Sequence, residues 1–127
     1  MQAEQIVRNL LLDCNAITER VGNRIYAGMI PAGAAFPAIA ITLRETTNEA
    51  VLDSPALYRR SVVSVEAIAT RPQLDELAQL ISNCLLSTAA IDAGVWETAA
   101  ARIESYDVER DLFVANLDYI VFHQGVS

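Results

Sequence analysis

The chain has 127 residues, 53% of them apolar, and it carries sixteen carboxylates against nine arginines with no lysine. That length suits one domain, spanning residues 1–127, with a core large enough to fold without cross-links. The net charge of −7 argues against nucleic-acid binding, which needs clustered cations. Neither a signal peptide nor an apolar run of spanning length occurs, so we expect neither export nor membrane insertion.

The predicted elements begin with an amphipathic helix over residues 3–17, where apolar side chains recur every three or four positions. A short extended piece, Arg24-Ile25-Tyr26, follows the turn at Gly22-Asn23. Residues 28–36 are rich in glycine, proline and alanine and contain no charged side chain, so an irregular loop is predicted there.

Two strands are predicted next, over residues 37–44 and 60–69. On the second strand Val63, Val65, Ala67 and Ala69 share one side. The connection over residues 45–58 is long, and connections of that length tend to be functional or disordered.

A second helix follows Thr70, with Pro72 in its first turn, where a missing N–H is harmless. Its predicted buried stripe is Leu74, Leu77, Ala78, Ile81, Cys84 and Leu85. Residues 95–106 and 112–123 predict two more strands, joined by an acidic turn at 107–111. The last strand has an apolar face made by Phe113, Ala115, Leu117, Tyr119 and Val121, and Asn116 and Asp118 lie on its opposite face.

The element order is therefore α-(β)-β-β-α-β-β. It predicts an α+β domain with a mainly antiparallel four-stranded sheet and two helices packed on one face.

Few residues suggest chemistry. His123 is the only histidine, and no serine has a nucleophile-elbow sequence around it. The turn at 107–111 alternates carboxylates as a calcium loop does, but Leu112 replaces the required glycine. Cys14 and Cys84 have no metal or redox spacing, so we expect reduced thiols that pack as small apolar side chains. We predict no enzyme activity, no cofactor and no bound metal.

Two segments predict self-association, namely the charge-free loop 28–36 and the connection 45–58, because exposed apolar surface usually marks an interface. Leu12 and Leu80 also stand off the buried stripes of their helices. Arginines at the interface could pair with acids of a neighbouring copy. The predicted interface residues are Arg24, Met29, Ile30, Glu49, Val51, Leu52, Asp53, Leu57, Tyr58, Arg59 and Arg60.

Several segments match a known pattern in order and spacing: residues 22–26 (GNRIY), the strand 36–41 (FPAIAI), Leu52-Asp53-Ser54, Tyr106-Asp107 and residues 117–121 (LDYIV). With these, nearly the whole chain resembles the tail terminators (minor tail protein U) of lambda-like siphophages and the related tail-completion proteins. The final turn is shorter than in the lambda protein.

The resemblance implies a hexameric ring that caps the tail tube, stops its polymerisation and provides the head–tail joining surface. The implied partners are further copies of the chain, the tail tube protein and the head–tail connector protein, while DNA passes through without specific binding. Assembly would take place in the host cytoplasm, and the protein would end in the virion tail. No catalytic residues carry over.

Ring size is consistent with this implication. A compact chain of this length approximates a sphere about 36 Å across, so six copies in a ring leave a hole of about 36 Å and four leave about 15 Å. Duplex DNA, about 20 Å wide, passes only the larger hole. Two alternatives stay open: a head-side neck or connector subunit of the same joint, and a small ligand-binding α+β domain of the cytosol.

Overall fold

The computed structural model describes residues 2–50, 57–97 and 103–124. Four helices are present in this part of the chain: α1 (Ala3–Leu12), α2 (Asn15–Val21), α3 (Arg71–Leu85) and α4 (Thr88–Asp92). The strands are β1 (Ile25–Ala27), β2 (Ala38–Ala50), β3 (Leu57–Ala69), β4 (Val95–Glu97), β5 (Ile103–Asp107) and β6 (Leu112–Gln124). They form one sheet in the order β1-β2-β3-β6-β4, and β5 pairs with the same edge of β6 as β4 does.

The α+β class is confirmed, but the sheet has six strands instead of four and is mixed. The short extended piece after Gly22 is β1, which runs parallel to β2 with Ile25 opposite Ile39. All other pairings are antiparallel. Because β1 is only three residues long, the short segment 28–37 suffices to return the chain to the start of β2, where longer parallel strands need a longer crossover.

One face of the sheet is covered by the helices, and on this face every second residue is apolar over residues 39–43, 63–69 and 113–121 of the three long strands. Ile41 lies opposite Val65, which in turn lies opposite Leu117 on β6. The predicted stripe of β3 is fully buried, and so is all of the stripe predicted for α3. The buried side chains of all four helices belong to this same core. We call this side of the sheet the helix-covered face.

The first predicted helix is in fact two helices. Cys14 adopts an extended conformation, with φ −90° and ψ 104°, between the end of α1 and the start of α2. Leu11 and Ile17, on either side of the break, are both buried in the core. The helical spacing of apolar residues therefore continues across the break, and the sequence pattern does not reveal that the helix is interrupted. Leu12 and Leu80, which the sequence placed off the buried stripes, are partly buried against that core.

The prediction of two reduced cysteines is wrong, because Cys14 and Cys84 form a disulfide. The Cα atoms lie 6.6 Å apart although the residues are separated by 70 positions in sequence. The junction of α1 and α2 packs against α3, and this tertiary contact brings the two sulfur atoms together. The bond therefore links the junction of α1 and α2 to the C-terminal end of α3.

The predicted connection 45–58 is mostly strand. β2 continues to Ala50 and β3 begins at Leu57, so the two strands form a long hairpin with a register shift between Leu43 and Glu45. Its polar sequence concealed the strands, because the end of a sheet that lies beyond the helices needs no apolar side chains. The single strand predicted over residues 95–106 is likewise replaced by β4 and β5, and residues 98–102 lie outside the description.

Candidate functional site

The second face of the sheet, which we call the open face, points away from the helical core. Its residues alternate with those of the helix-covered face along the same strands, so Thr42, Ser64 and Asp118 form a row across it. The open face has three parts: a loop at one end, a polar cluster in the middle and an apolar strip at the other end.

The charge-free loop, residues 28–36, lies at one end of the open face and is anchored on both sides. The Gly28 N–H donates a hydrogen bond of 2.8 Å to the carbonyl of Ile41. Beyond the other end of the loop, Nε of Arg24 donates a 3.0 Å bond to the carbonyl of Pro37. The loop contains no helix or strand. These two hydrogen bonds fix its ends.

The loop presents apolar side chains to two environments. Ile30 is half-buried beside Ile68 in a surface hollow of about 230 Å³. The guanidinium of Arg110 lies 5.5 Å from the centre of the Phe36 ring and packs over it. Met29 points outward and is 91% exposed, more than any other large apolar side chain in the described part of the chain.

The polar cluster in the middle joins the three long strands. Nη1 of Arg44 donates to the Ser64 hydroxyl at 3.2 Å, and that hydroxyl donates to the carboxylate of Asp118. Nδ2 of Asn116 donates to the same carboxylate oxygen at 3.0 Å. Ser64 is only 1% exposed and is already bonded on both sides, so it serves as a link between strands and is poorly placed to act as a nucleophile.

The apolar strip consists of Val62, Trp96, Ile120 and Phe122. Ile120 lies opposite Val62 on one side and opposite Trp96 on the other. The rings of Trp96 and Phe122 meet edge to face with their centres 6.4 Å apart. Trp96 is 58% exposed and Phe122 is 37% exposed. Exposed aromatic side chains grouped in this way typically mark a contact surface.

The structure separates the predicted interface residues. Met29 and Ile30 lie in the charge-free loop, whereas Arg60 is at the far end of the open face, opposite Phe122 on the neighbouring strand. Arg24 is used internally, since its guanidinium bonds the backbone on both sides of β1.

The hairpin residues divide between the two faces. Arg60 lies 3.5 Å from Glu45 of the same sheet, while Arg59 points to the other face and lines a small hollow with His123. Glu49, Leu57 and Tyr58 are placed only by their strand pairing, Glu49 opposite Tyr58 and Leu57 opposite Ala50. Val51, Leu52 and Asp53 lie outside the described residues.

Sequence reasoning missed the apolar strip. It assigned only Asn116 and Asp118 to the outer face of the last strand, although the same alternation places Ile120 and Phe122 there. That alternation was a usable signal. Trp96 could not be added, because its position on the strip depends on β4 pairing with the end of β6.

His123 does meet a serine, on the helix-covered face. Its Nε2 lies 2.8 Å from the Ser61 hydroxyl, which also lies 2.9 Å from the hydroxyl of Thr46. Ser61 is completely buried, so a substrate cannot reach its oxygen. The three side chains join β2, β3 and β6 near the base of the hairpin.

The acidic turn uses its carboxylates internally, as predicted for a charged hairpin turn. Oδ1 of Asp107 accepts the N–H groups of Glu109 and Arg110 at 3.1 and 3.3 Å. The Tyr106 hydroxyl donates to Asp111, and this hydrogen bond raises the pKa of Tyr106 above its ordinary value. Within residues 2–50, 57–97 and 103–124, no group of three or more His, Cys, Asp or Glu side chains is placed to hold a metal.

The helices described here are all too short or too polar to cross a lipid bilayer.

Comparison with known proteins gives a fold likeness. No protein-family model and no curated protein matches the chain. Twenty-eight chains of solved structures do match. One belongs to the virion of a native gene transfer agent particle: it has a TM-score of 0.70 and 14% identity, and the match covers 97% of this chain and 95% of that chain. At that identity the match establishes a shared fold over almost the whole length of both chains.

Proposed function

We propose that this chain is a structural virion protein without enzymatic activity, which forms a hexameric ring at the end of a phage-like tail tube. The ring stops tube polymerisation and provides the surface on which the head is joined. The observation that carries the proposal is the fold shared with a chain of a gene transfer agent virion over 97% of this chain. The resemblance of the sequence to tail terminators supplies the finer role.

The disulfide between Cys14 and Cys84 supports a particle that leaves the cell. Disulfides persist in oxidising surroundings, including virion surfaces, and are rare in proteins that stay in the reducing cytosol. Assembly in the host cytoplasm followed by release would expose the two thiols to oxidation after the ring is built.

Passage of DNA through the ring is favoured by how the arginines are used. The net charge is −7. Most arginine side chains are engaged within the fold, namely Arg8, Arg20, Arg24, Arg44, Arg60, Arg71 and Arg110. Strong, salt-sensitive DNA binding requires several cations free to contact phosphates. A wall made of this surface would let a duplex move past without holding it.

The partners in this proposal are further copies of the chain, the tail tube protein and the head–tail connector protein. A head-side neck or connector subunit is the second candidate. The gene transfer agent chain is described as part of a whole virion, so the fold likeness supports either side of the joint equally.

Two experiments test the proposal. Light scattering of the full chain, alone and mixed with tail tube protein, should give a mass near six times 13.8 kDa, and negative-stain images should show rings. Monomers under every condition, with no ring at the tube end, would refute it.

Deleting the gene from the element that produces the particle separates the two candidates. Overlong tail tubes indicate a missing terminator, whereas tails of normal length that fail to join heads indicate a connector. A cytosolic ligand-binding domain would instead leave particle assembly unchanged and show a thermal shift with a metabolite.

A further inference from the structure

We propose that the disulfide between Cys14 and Cys84 is a redox-controlled staple that holds one edge of the fold in place. That edge, which we call the edge unit, is residues 2–27 and contains α1, α2 and β1. With the bond open, the edge unit detaches transiently while α3 and the rest of the sheet stay folded. With the bond closed, this detachment is suppressed. The staple is a property of the isolated chain, and only its timing rests on the proposed virion.

The edge unit lies at the margin of the fold. Its strand, β1, is at the end of the sheet and pairs with β2 over three residues. Its helices have 10 and 7 residues and are separated by the break at Cys14. Isolated helices shorter than about 12 to 15 residues are marginal in water. The edge unit can therefore detach without disturbing the long pairings of β2 with β3 and of β3 with β6.

The polar contacts of the edge unit are partly internal. Nε of Arg8 in α1 donates a 2.8 Å hydrogen bond to the carbonyl of Ile25 in β1, so this bond moves with the unit. Arg20 of α2 pairs with Glu76 of α3, but both side chains are exposed, and exposed ion pairs contribute little. Attachment depends mainly on the buried side chains of the two helices, which are Ala3, Val7, Leu11, Ile17 and Val21.

The disulfide joins the middle of this unit to a firm anchor. Cys84 lies near the end of α3, which has 15 residues and buries its whole apolar stripe. Another short helix, α4, begins with a polar cap, because the Ser87 hydroxyl accepts the N–H of Ala90 at 3.2 Å. Cys14 occupies the corresponding position of α2, and its side chain makes no capping bond. The position that often carries a cap carries the staple instead.

Loop closure explains how the bond suppresses detachment. With the bond closed, residues 14–38 of a detached edge unit form a loop that is tied at Cys14 by the disulfide and at Ala38 by β2. With the bond open, the same residues are tied only at Ala38. A loop tied at both ends gains less conformational entropy than a segment tied at one end. Detachment is therefore less favourable in the oxidised chain.

The chemistry is a thiol–disulfide exchange with a low-molecular-weight disulfide. Cys84 is 7% exposed and Cys14 is half-buried, so Cys14 is the more accessible of the two. The Cys14 thiolate attacks the small disulfide and displaces one small thiol, and the Cys84 thiolate then attacks the Cys14 sulfur and displaces the second. The two cysteines lose two protons and two electrons, and the small disulfide becomes two thiols. Small thiols of a reducing cytosol drive the reverse reaction.

Hydrogen exchange of the full chain, followed by mass spectrometry, tests the staple. Peptides from α1 and α2 should exchange at least about tenfold faster in reductant than in the oxidised chain. In the reduced sample they should also exchange faster than peptides from α3, at a rate that low urea changes little, because local opening exposes less surface than global unfolding. As the control, Cys14→Ser/Cys84→Ser should match the reduced chain with or without reductant.

Three results would overturn the staple. One is equal exchange of α1 and α2 in the oxidised and reduced chains. Another is exchange of α1, α2 and α3 at one rate with one urea dependence in the reduced chain, which would mean that the edge unit does not open separately. The third is loss of the folded circular dichroism spectrum in reductant.

Limited proteolysis gives a second measurement. The chain has no lysine, so trypsin cleaves it only after arginine. Reductant should accelerate cleavage after Arg20, within α2, at least about tenfold. Cleavage after Arg110, on the acidic turn, should change less than about twofold, because that turn lies outside the edge unit. Equal acceleration at both sites would contradict the assignment.

The timing is tested by alkylating free thiols with iodoacetamide in producing cells and in released particles. The chain from cells should carry two alkyl groups and the chain from particles none. A bond already closed in the cells would overturn the timing, and free thiols in both samples would overturn the staple. The ring is tested separately by light scattering, so a monomeric chain with a working staple would refute the ring alone.

Discussion

The two faces of the sheet use the same three strands under different physical demands. On the helix-covered face Ile41, Val65 and Tyr119 are fully buried, and each is an apolar member of an alternating set. On the open face, Ser64 and Asp118 occupy the intervening positions of those strands. Burial restricts the first set to apolar residues of fitting size, whereas the second set is free to carry polar links and contact surfaces. The contrast indicates that the hydrophobic core depends on the helix-covered face, while the open face accepts polar side chains.

The largest effect should come from placing a charge on the helix-covered face. Ile41→Asp should unfold the domain, because burying a carboxylate without a partner costs several kcal/mol against a total stability of about 5–15 kcal/mol. Thr47→Asp, in the same strand but exposed and opposite Arg60, should change stability by less than about 0.5 kcal/mol. Circular dichroism during thermal melting measures both, and similar melting curves would contradict the distinction between the faces.

The second-largest loss of stability should come from removing the disulfide, which joins two parts of the helical layer. The loop closed by Cys14 and Cys84 spans 70 residues, for which loop entropy predicts about 4 kcal/mol of stabilisation. Denaturant unfolding of Cys14→Ser/Cys84→Ser should show this loss, and the parent chain in reductant should behave in the same way. If reductant leaves the parent chain's unfolding midpoint unchanged, the bond does not contribute as described.

A substitution at Gly94 probes how closely the backbone packs at the edge of the sheet, just before β4 begins. A Cβ added there would lie 2.1 Å from the carbonyl oxygen of Phe122, and φ is +97°. Gly94→Ala should therefore cost about 3 kcal/mol, from backbone strain together with the clash. Gly28 has a similar φ of +96° with no atom within 4 Å, so Gly28→Ala should cost only about 1 kcal/mol. Equal losses in urea denaturation would show that the clash is relieved without cost.

The smallest expected difference separates two arginines that the sequence placed in one interface. Arg24→Ala removes a 3.0 Å bond to the Pro37 carbonyl and should cost about 1.5 kcal/mol in denaturant unfolding. Arg60→Ala breaks a partly exposed pair with Glu45 and should cost between about 0 and 1 kcal/mol. A larger loss for Arg60 than for Arg24 would reverse our assignment of internal and surface roles.

Part of the candidate site could be predicted from sequence. The glycine, proline and alanine content of residues 28–36 predicted an irregular loop, and the absence of charge there predicted a contact surface. Met29 in this loop proves to be highly exposed. The apolar strip could not be assembled in the same way. Trp96 and Phe122 are distant in the chain and meet because β4 pairs with the end of β6.

The sequence by itself determined the helix-covered face: the apolar stripes of β3, β6 and α3 that pack in or against the core follow from the spacing of apolar residues, because burial acts on each side chain locally. It also determined the α+β class and the charge balance that disfavours DNA binding. Only the tertiary structure decided the parallel pairing of β1, the length of the β2–β3 hairpin and the bond between Cys14 and Cys84. These features depend on contacts between segments far apart in the chain, for which local spacing carries no signal.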